Sequence, residues 1–572
     1  MAGMPRLMPA VFRAPPAVAA PAGRRFTIPA TIEQVLVVAA AYWMLGANQL
    51  FFHAALAGRA PAEPATWGFA LALAALLVAV HVFLLALAAN RWTLKPLLAV
   101  LVVATALASW FMQHYGIYMD PSMLRNVLRT DPAEARELLS WALLPHLLVH
   151  AGLPLALLWR VQLVRRRWPQ AVLVRLLVLL LAAAMASAAL LSIFQPFASL
   201  MRNHPQVRYL ITPANYLWSI ASVAAADARS AHVPRRPVGL DAAPGPSWAA
   251  RKRPMVVVLV VGETARAANW GLDGYARQTT PQLARLPVVN FADVSACGTS
   301  TEVSLPCMFS AVGRRDYDES RIRGSESLLH VAARAGVAVQ WRDNQSGCKG
   351  VCEGLPGETV TAADAPGLCP EGRCLDEALL AGLDERLAKA RGTQLLVLHQ
   401  LGNHGPSYFR RYPRAFAHFQ PACENDDLQQ CTQAQIVNAY DNALRYTDHV
   451  LASLVAKLQA QAGRVDSAVI YVSDHGESLG ENHLFLHGMP YAIAPRVQTR
   501  VPMVMWFSGG LQAAGGIDMA CLRARAAQPT SHDALFHTVL GLLDVRTQAY
   551  EPAWDLLQPC RRPLPQAQAA AR

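Results

Sequence analysis

MVVVLVVGET, residues 255–264, decides the fold: seven apolar residues in unbroken succession, then a glycine, then an acid. A run this apolar, with no alternation, belongs to a strand buried on both faces, as in a parallel sheet covered by helices. Apolar runs at 394–398 and 467–472 have the same form, and helical stretches at 374–391 and 433–460 lie between them. This is the pattern of a doubly wound α/β domain. In open sheets of that kind, sites form at the carboxyl ends of the strands.

Each run ends on residues suited to a metal. The first ends on Glu263; AVIYVSDHGE (468–477) delivers Asp474 and His475; QLLVLHQLGNHGP (394–406) delivers His399 and His404; ENHLFLHG (481–488) adds His483 and His487. Carboxylates and imidazoles gathered at strand ends make a good site for zinc. Taken singly, an Asp after a strand is commonly a helix cap and a His commonly a satisfied structural residue. Several together are harder to dismiss, with His399 and His483 the weakest of the set.

DVSACGTSTEVSLPCMFS (293–310) is a hydroxyl-rich turn leading into a predicted helix. A helix start receives phosphate oxygens and favours a developing anion. Thr299, Ser300 and Thr301 are therefore nucleophile candidates, with a metal as activator because an alcohol is a poor nucleophile at its free pKa. The alternative is simple capping by Ser or Thr.

Outward from this domain the composition changes. The chain has 572 residues, 53% of them hydrophobic and 16% charged, with mean hydropathy +0.23. Residues 1–195 hold 15 Lys/Arg and 6 Asp/Glu, a net of +9, whereas the remaining 377 residues hold 36 and 33, a net of +3. The excess charge of the whole chain thus lies beside apolar spans, where it orients a membrane protein, and not on a basic face for nucleic acid. Five apolar segments, at 31–53, 68–90, 96–115, 138–160 and 171–193, are long enough to span a bilayer. With the N-terminus inside, the inner segments carry Arg6, Arg13, Arg24, Arg25, Arg91, Lys95, Arg160, Arg165, Arg166, Arg167 and Arg175; the outer loops carry only Arg59, Arg125, Arg129 and Arg136. Five spans then place everything after residue 193 outside the cytoplasm.

The cysteines point the same way. All ten follow residue 296, and an even count confined to one domain indicates disulfides in an oxidising compartment. The expected pairs are Cys297–Cys307, Cys348–Cys352, Cys369–Cys374, Cys423–Cys431 and, by elimination, Cys521–Cys560. A structural zinc on Cys348 and Cys352 is disfavoured, because no second Cys/His pair sits at finger spacing.

The expected organisation is a membrane domain over 1–193 with an outer loop at 116–137, a bridging helix and Pro-rich linker over 194–253, a catalytic domain over 254–560, and a disordered tail over 561–572. Within the bridge, residues 196–229 read as helical and leading away from the membrane. The loop reads HYGIYMDPSMLRNVLRTDPAEARELLS (114–140), and Asn126, Thr130 and Glu134 fall at i, i+4 and i+8. One helical face would carry all three, although Pro132 either interrupts that helix or opens a new one. On spacing alone the stretch is a solvated amphipathic linker.

VGETARAANWGLDGYARQTTP (261–281), CGTSTEVSLPCMFS (297–310), DNQSGCKGVC (343–352), HQLGNHGPSYFRRYP (399–413), YDNALRYTDHVL (440–451), SDHGESLGENHLFLHG (473–488) and SHDALFHTVLGLLDV (531–545) together resemble the phosphoethanolamine transferases of Gram-negative bacteria, a group that includes the mobile colistin-resistance enzymes. The resemblance covers nearly the whole chain and shows no departure at the motif positions. It implies an alkaline phosphatase/sulfatase-like fold for the catalytic domain. It implies one or two zinc ions, with Glu263, Thr301, Asp474 and His475 as ligands, and Thr301 as the nucleophile. His404 and His487 become further active-site histidines, able to hold a second zinc or act on substrate. Asn126, Thr130 and Glu134 of the loop, with Ser346 and Lys349, become phosphoethanolamine contacts, which overturns the linker reading.

The implied reaction has two steps: Thr301 takes phosphoethanolamine from phosphatidylethanolamine and passes it to a lipid A phosphate, giving resistance to polymyxins. The implied setting is a monomer in the bacterial inner membrane with its catalytic domain in the periplasm and no nucleic-acid partner. The rivals are a transferase acting on the lipopolysaccharide core or another periplasmic acceptor, a sulfatase or phosphatase of the same fold, and a catalytically silent membrane scaffold. CGTST argues against a sulfatase, and the spans argue for lipid substrates.

Overall fold

A computed structural model describes residues 27–130, 132–230 and 234–562. Arg6, Arg13, Arg24 and Arg25, counted above on the inner side, and the expected tail from residue 563 onward lie outside the described residues.

Helices Pro64–Ala88, Leu94–Tyr115, Leu143–Arg160 and Trp168–Ser192 are each long and apolar enough to cross a membrane. The pair Ile32–Gly46 and Gln49–Leu56, bent by 58°, makes a fifth candidate if counted as one span. The sequence predicts one continuous segment there, and Asn48 accounts for the difference. Its wholly buried side chain donates to Trp43 O at 2.9 Å and to Thr212 O at 2.7 Å, and accepts from Thr212 N at 2.9 Å. A buried amide tied to the later bridge interrupts the helix at that point. Trp92, Trp159 and Trp168 stand exposed at one end of the bundle, beside its Arg/Lys cluster, and Trp67 and Trp141 stand exposed at the other. Interfacial tryptophans of this kind mark the two edges of a bilayer.

The loop between the third and fourth candidate spans, counting the bent pair first, forms two short helices. Pro121–Arg129 is capped by Asp120, whose Oδ1 accepts from Met123 N at 2.8 Å, and ends at extended Thr130. Pro132–Glu137 then starts afresh on its proline. Asn126, Thr130 and Glu134 therefore do not share one helix; a proline in a helix interior would clash with the preceding turn. The bridge is helical in pieces, Phe194–Asn203, Pro205–Leu210 and Ala214–Ser230. It does not simply lead away: Ser219 Oγ donates to Met119 O at 2.8 Å, fastening the last piece against the loop. Residues 234–254, read as a linker, lie against the catalytic domain, with Trp248 Nε1 on Leu543 O at 2.7 Å.

The catalytic domain is built on eight strands: β1 Met255–Gly262, β2 Val289–Ser295, β3 Ala338–Asp343, β4 Gly357–Thr359, β5 Thr393–His399, β6 Asp466–Ser473, β7 Arg500–Phe507 and β8 Thr530–Ser531. Their order across the sheet is β8-β2-β7-β6-β1-β5-β3-β4. All pairings are parallel except those of β7, which runs against both β6 and β2. The three strands predicted from the sequence pair parallel as expected, and the sheet as a whole is mixed because β7, which was not predicted, runs against its neighbours. Val501–Phe507 is as apolar as its neighbours and buried throughout, so nothing in its composition announces its direction. The three predicted strands are the central ones, and every residue of β1 is buried. Helix Gln433–Ala460 matches its prediction and starts on a capping box between Thr432 and Gln435. The stretch 374–391 is split, because Gly382 adopts φ 68° between a 3-10 turn and helix Leu383–Ala388.

The ten cysteines form the five disulfides expected: Cys297–Cys307, Cys348–Cys352, Cys369–Cys374, Cys423–Cys431 and Cys521–Cys560.

Candidate active site and metal centre

Strand register assembles the site. Val261 stands opposite both His399 and Val472, and Gly262 opposite Ser473. The next residues along each strand, Glu263, Gln400 and Asp474, are therefore released side by side at the carboxyl edge. The turn is tight: Gly402 has φ +55°, and a Cβ there would fall 2.7 Å from Glu263 O and 2.9 Å from its N. Only glycine lets the loop after β5 pass this close to Glu263.

Glu263, Asp474 and His475 are fully buried, with ligand-type atoms within 4.8 Å of one another. His475 Nδ1 lies 2.9 Å from Gly476 O, which sets Nδ1 as the donor and turns Nε2 inward. Nε2 lies 3.3 Å from Glu263 Oε1, 3.4 Å from Asp474 Oδ2 and 3.3 Å from Thr301 Oγ1. Thr301 Oγ1 donates to Glu263 Oε2 at 3.0 Å. Asp474 Oδ2 is buried without a hydrogen bond. Burial, then repulsion from Glu263, pushes the Asp474 carboxyl up to about 7. Two buried carboxylates, an inward imidazole nitrogen and a hydroxyl suit a divalent cation, which would neutralise both acids and engage the Asp474 oxygen.

Thr301 opens helix Thr301–Met308, and Ser300, extended at φ −149°, is its cap residue. Val303 N and Ser304 N both bond to Ser300 O, at 3.1 and 2.8 Å. Thr299 turns away, donating to Met489 O at 2.6 Å. Of the three hydroxyls, Thr301 is the one brought to the metal-type group. The Cys297–Cys307 bridge spans the turn that carries it.

A second ring surrounds this centre. His404 Nε2 lies 3.0 Å from Glu134 Oε1, so a loop from the membrane part reaches the catalytic site. Burial opposes charge on the His404 ring, but Glu134 outweighs it and holds the pKa up to about 9. His487 stacks on His475, ring centres 4.4 Å apart, and lies 5.6 Å from His404. Burial and the two neighbouring rings push it well below the usual histidine range. Lys349 Nζ donates to Ser346 Oγ at 2.8 Å, and Lys349 itself holds φ 47°, an uncommon conformation for a side-chain-bearing residue. Asn126 and Thr130 are half-buried at the end of the loop helix, where Thr130 Oγ1 donates to Asn126 O at 2.8 Å. His399 packs its ring against Trp341 under the site, and His483 stands exposed on a turn.

Sequence reasoning missed Gln345. Its Nε2 lies 3.0 Å from Glu263 Oε2 and 2.7 Å from Gln400 O, so it steadies the first acid. It follows the carboxyl end of β3 by two residues, and reading β3 as a strand would have found it. Glu477 was missed as well: it is buried, neither oxygen has a hydrogen bond, and burial pushes it up to about 8.

A mostly parallel sheet with acids and a histidine at its carboxyl edge, and a hydroxyl at a helix start beside them, defines a sulfatase-type domain, here joined to a bundle of apolar helices. The sulfatase family model matches residues 255–545, and the model described as phosphoethanolamine transferase EptA/EptB matches residues 77–228. Phosphoethanolamine transferase EptA of Escherichia coli K12 is 39% identical over 495 residues, covering 84% of this chain and 88% of that one. Phosphatidylethanolamine transferase Mcr-1 of Escherichia coli is 36% identical over 522 residues, covering 89% and 95%. The integral membrane lipooligosaccharide phosphoethanolamine transferase A of Neisseria meningitidis superposes with TM-score 0.88 at 39% identity, covering 94% of this chain and all of that one. The soluble domain of that protein covers 58% of this chain with TM-score 0.56 at 48% identity. The chain belongs to the phosphoethanolamine transferase family.

Proposed function

We propose that this enzyme moves phosphoethanolamine from phosphatidylethanolamine to a phosphate of lipid A, through a phosphoethanolamine ester on Thr301. The observation that carries this reading is the Thr301 hydroxyl, the first residue of its helix, set 3.0 Å from Glu263 and 3.3 Å from His475. Zinc is the proposed metal, held by Glu263, Asp474, His475 and the Thr301 hydroxyl; when bound it lowers the pKa of that hydroxyl and offsets charge on the transferring phosphoryl group.

In the first step Thr301 Oγ1 gives up its proton to His487 and bonds to phosphorus, while the bond from phosphorus to the diacylglycerol oxygen breaks. His404, held charged by Glu134, donates the proton that the leaving oxygen needs. In the second step a lipid A phosphate oxygen gives its proton to His404 and bonds to the same phosphorus, while the bond to Thr301 Oγ1 breaks and that oxygen takes back the proton held by His487. Backbone N–H groups at the start of the Thr301 helix receive phosphoryl oxygens. Lys349 and Ser346 add a charge-assisted contact to phosphate, and Glu134, with Asn126 and Thr130, attracts the ethanolamine end. His487, held neutral, is a proton acceptor. Each transfer places an ammonium on an anionic lipid A, which weakens its attraction for polymyxins and other cationic peptides.

The setting we propose is the bacterial inner membrane, with a monomeric chain crossing five times and its catalytic domain in the periplasm. The proposed boundaries are those read from the sequence, with the membrane domain ending at 193 and the catalytic domain over 254–560. Incubating the enzyme with phosphatidylethanolamine and no acceptor should leave phosphoethanolamine on the peptide containing Thr301. An adduct on Ser300, or undiminished transfer by Thr301→Ala, would overturn the assignment. Mass spectrometry of lipid A from cells with and without the gene tests the acceptor.

A further inference from the structure

The proposed function uses Glu134 and His404 but leaves unexplained how residues 270 positions apart are held together. Behind that pair stands a third acid. Glu137 lies one turn beyond Glu134 on the short helix Pro132–Glu137, on the same side by i, i+3 spacing. Its Oε1 accepts from Arg373 Nη1 at 2.7 Å, and its Oε2 accepts from Arg411 Nη2. The Arg411 side chain is 1% exposed and that of Glu137 10%. Arg411 spends its Nε on His404 O at 2.7 Å. Cys374, bonded to Cys369, anchors the segment that carries Arg373.

We propose that Glu137 is a positioning residue of the donor site: its carboxylate, clamped by Arg411 and Arg373, fixes the helix that presents Glu134 and, through Arg411, the backbone of His404. The inference rests on the proposed function, because it assigns Glu137 no contact with substrate and lets it act only through that pair. The helix is less than two turns long, too short to be stable by itself, so its place depends on what its side chains grip. Glu134 grips His404 from the first turn of that helix. Glu137 adds a grip from its last turn, and it does so on the arginine that also holds the His404 carbonyl. Removing the acid leaves a buried guanidinium without that carboxylate, still attached to the His404 carbonyl.

A double-mutant cycle tests this, using the full chain in lipid nanodiscs and release of diacylglycerol from labelled phosphatidylethanolamine. Glu137→Gln should lower kcat by about tenfold, since a small misplacement of a reacting group is costly. Glu137→Asp, which keeps the charge, should recover most of that loss. In a Glu134→Ala background the same Glu137→Gln change should cost less than about twofold, because residues acting as a unit are not additive. An equal factor in both backgrounds, or no loss in either, would overturn the proposal, as a merely stabilising role predicts. If Glu137→Gln does not fold, Arg411→Lys replaces it in the same cycle with the same two outcomes. Thr301→Ala run alongside separates the levels: its loss of release together with additive Glu137 effects rejects only the positioning role. No release by the wild type rejects the reaction itself.

Discussion

Replacing Glu134 by Gln should move the alkaline limb of the pH–rate profile by more than two pH units. In the wild type, burial works against a charged His404, and Glu134 at 3.0 Å overcomes it, so the ring titrates at about 9. A raised histidine pKa means that the charged form is favoured by the folded protein. The stabilising effect of the pair is therefore whole below the unfolded value of about 6.5 and is lost as pH rises through about 9. Without the carboxylate, Glu263 and the more distant Glu137 and Glu477 still favour charge, while burial and Arg411 oppose it. The ring then returns to about 6.5 or lower.

At pH 7.5 nearly every wild-type His404 carries its proton, whereas about a tenth or fewer would do so in the variant. Steps that need the proton should slow about tenfold or more at that pH and recover as the pH approaches about 5.5. Diacylglycerol release followed from about pH 5.5 to 10, with bound metal measured in the same samples, reads the effect directly. A loss of equal size at every pH would assign Glu134 to donor binding alone. An unmoved alkaline limb would show that His404 is not the acid.

Three further outcomes follow from the same geometry. A reporter fused after residue 193 should be active only outside the cytoplasm and one in the 161–170 loop only inside; either reversal would remove the five-span topology. Chelation should abolish transfer, zinc should restore it, and Asp474→Asn should bind the metal more weakly; full activity after complete metal removal would reject the metal centre. Thiol titration of the unfolded, unreduced protein should find almost no free cysteine, and reduction should lower the melting temperature, since each native bridge typically contributes about 2–4 kcal/mol.

What the sequence revealed and what it hid follow from how far apart the interacting residues lie. β1, β5 and β6 were legible because strands buried on both faces need unbroken apolar runs, and the acids that end them needed only the rule about strand ends. The reversed direction of β7 was not legible, because direction depends on the connection and leaves no mark on Val501–Phe507. The break in the first apolar segment was hidden because hydropathy averages over Asn48, whose partner Thr212 lies 164 positions away. The Glu134–His404 pair was further out of reach: spacing gave the loop acid only a solvated face, and the family resemblance alone named it as functional. Gln345 was hidden because β3, the strand it follows, contains Arg342 and Asp343 and does not read as an apolar run.

Because the site draws on two parts of the chain, dividing them should separate its functions. Residues 234–562 alone contain Glu263, Thr301, Asp474 and His475, whose mutual contacts involve nothing from the membrane part. The related soluble domain from Neisseria meningitidis, 48% identical over 58% of this chain, exists as a separate crystallised unit, so the excised domain is expected to fold. It should bind metal as the full chain does, and Thr301 should still accept phosphoryl groups from a small water-soluble phosphodiester. Yet it lacks Glu134, and its His404 should titrate like that of the Glu134→Gln variant, with the alkaline limb near about 6.5 or below. It also lacks Glu137, leaving Arg411 in contact with the His404 carbonyl but without the acid from the loop. Activity of the isolated domain should therefore resemble the full-length Glu134→Gln variant in pH dependence and stay within about twofold of it in rate, since the loss of Glu137 adds little once Glu134 is gone. An isolated domain that keeps the wild-type alkaline limb would mean that His404 is held charged from within the catalytic fold, and the loop would then serve the donor lipid alone.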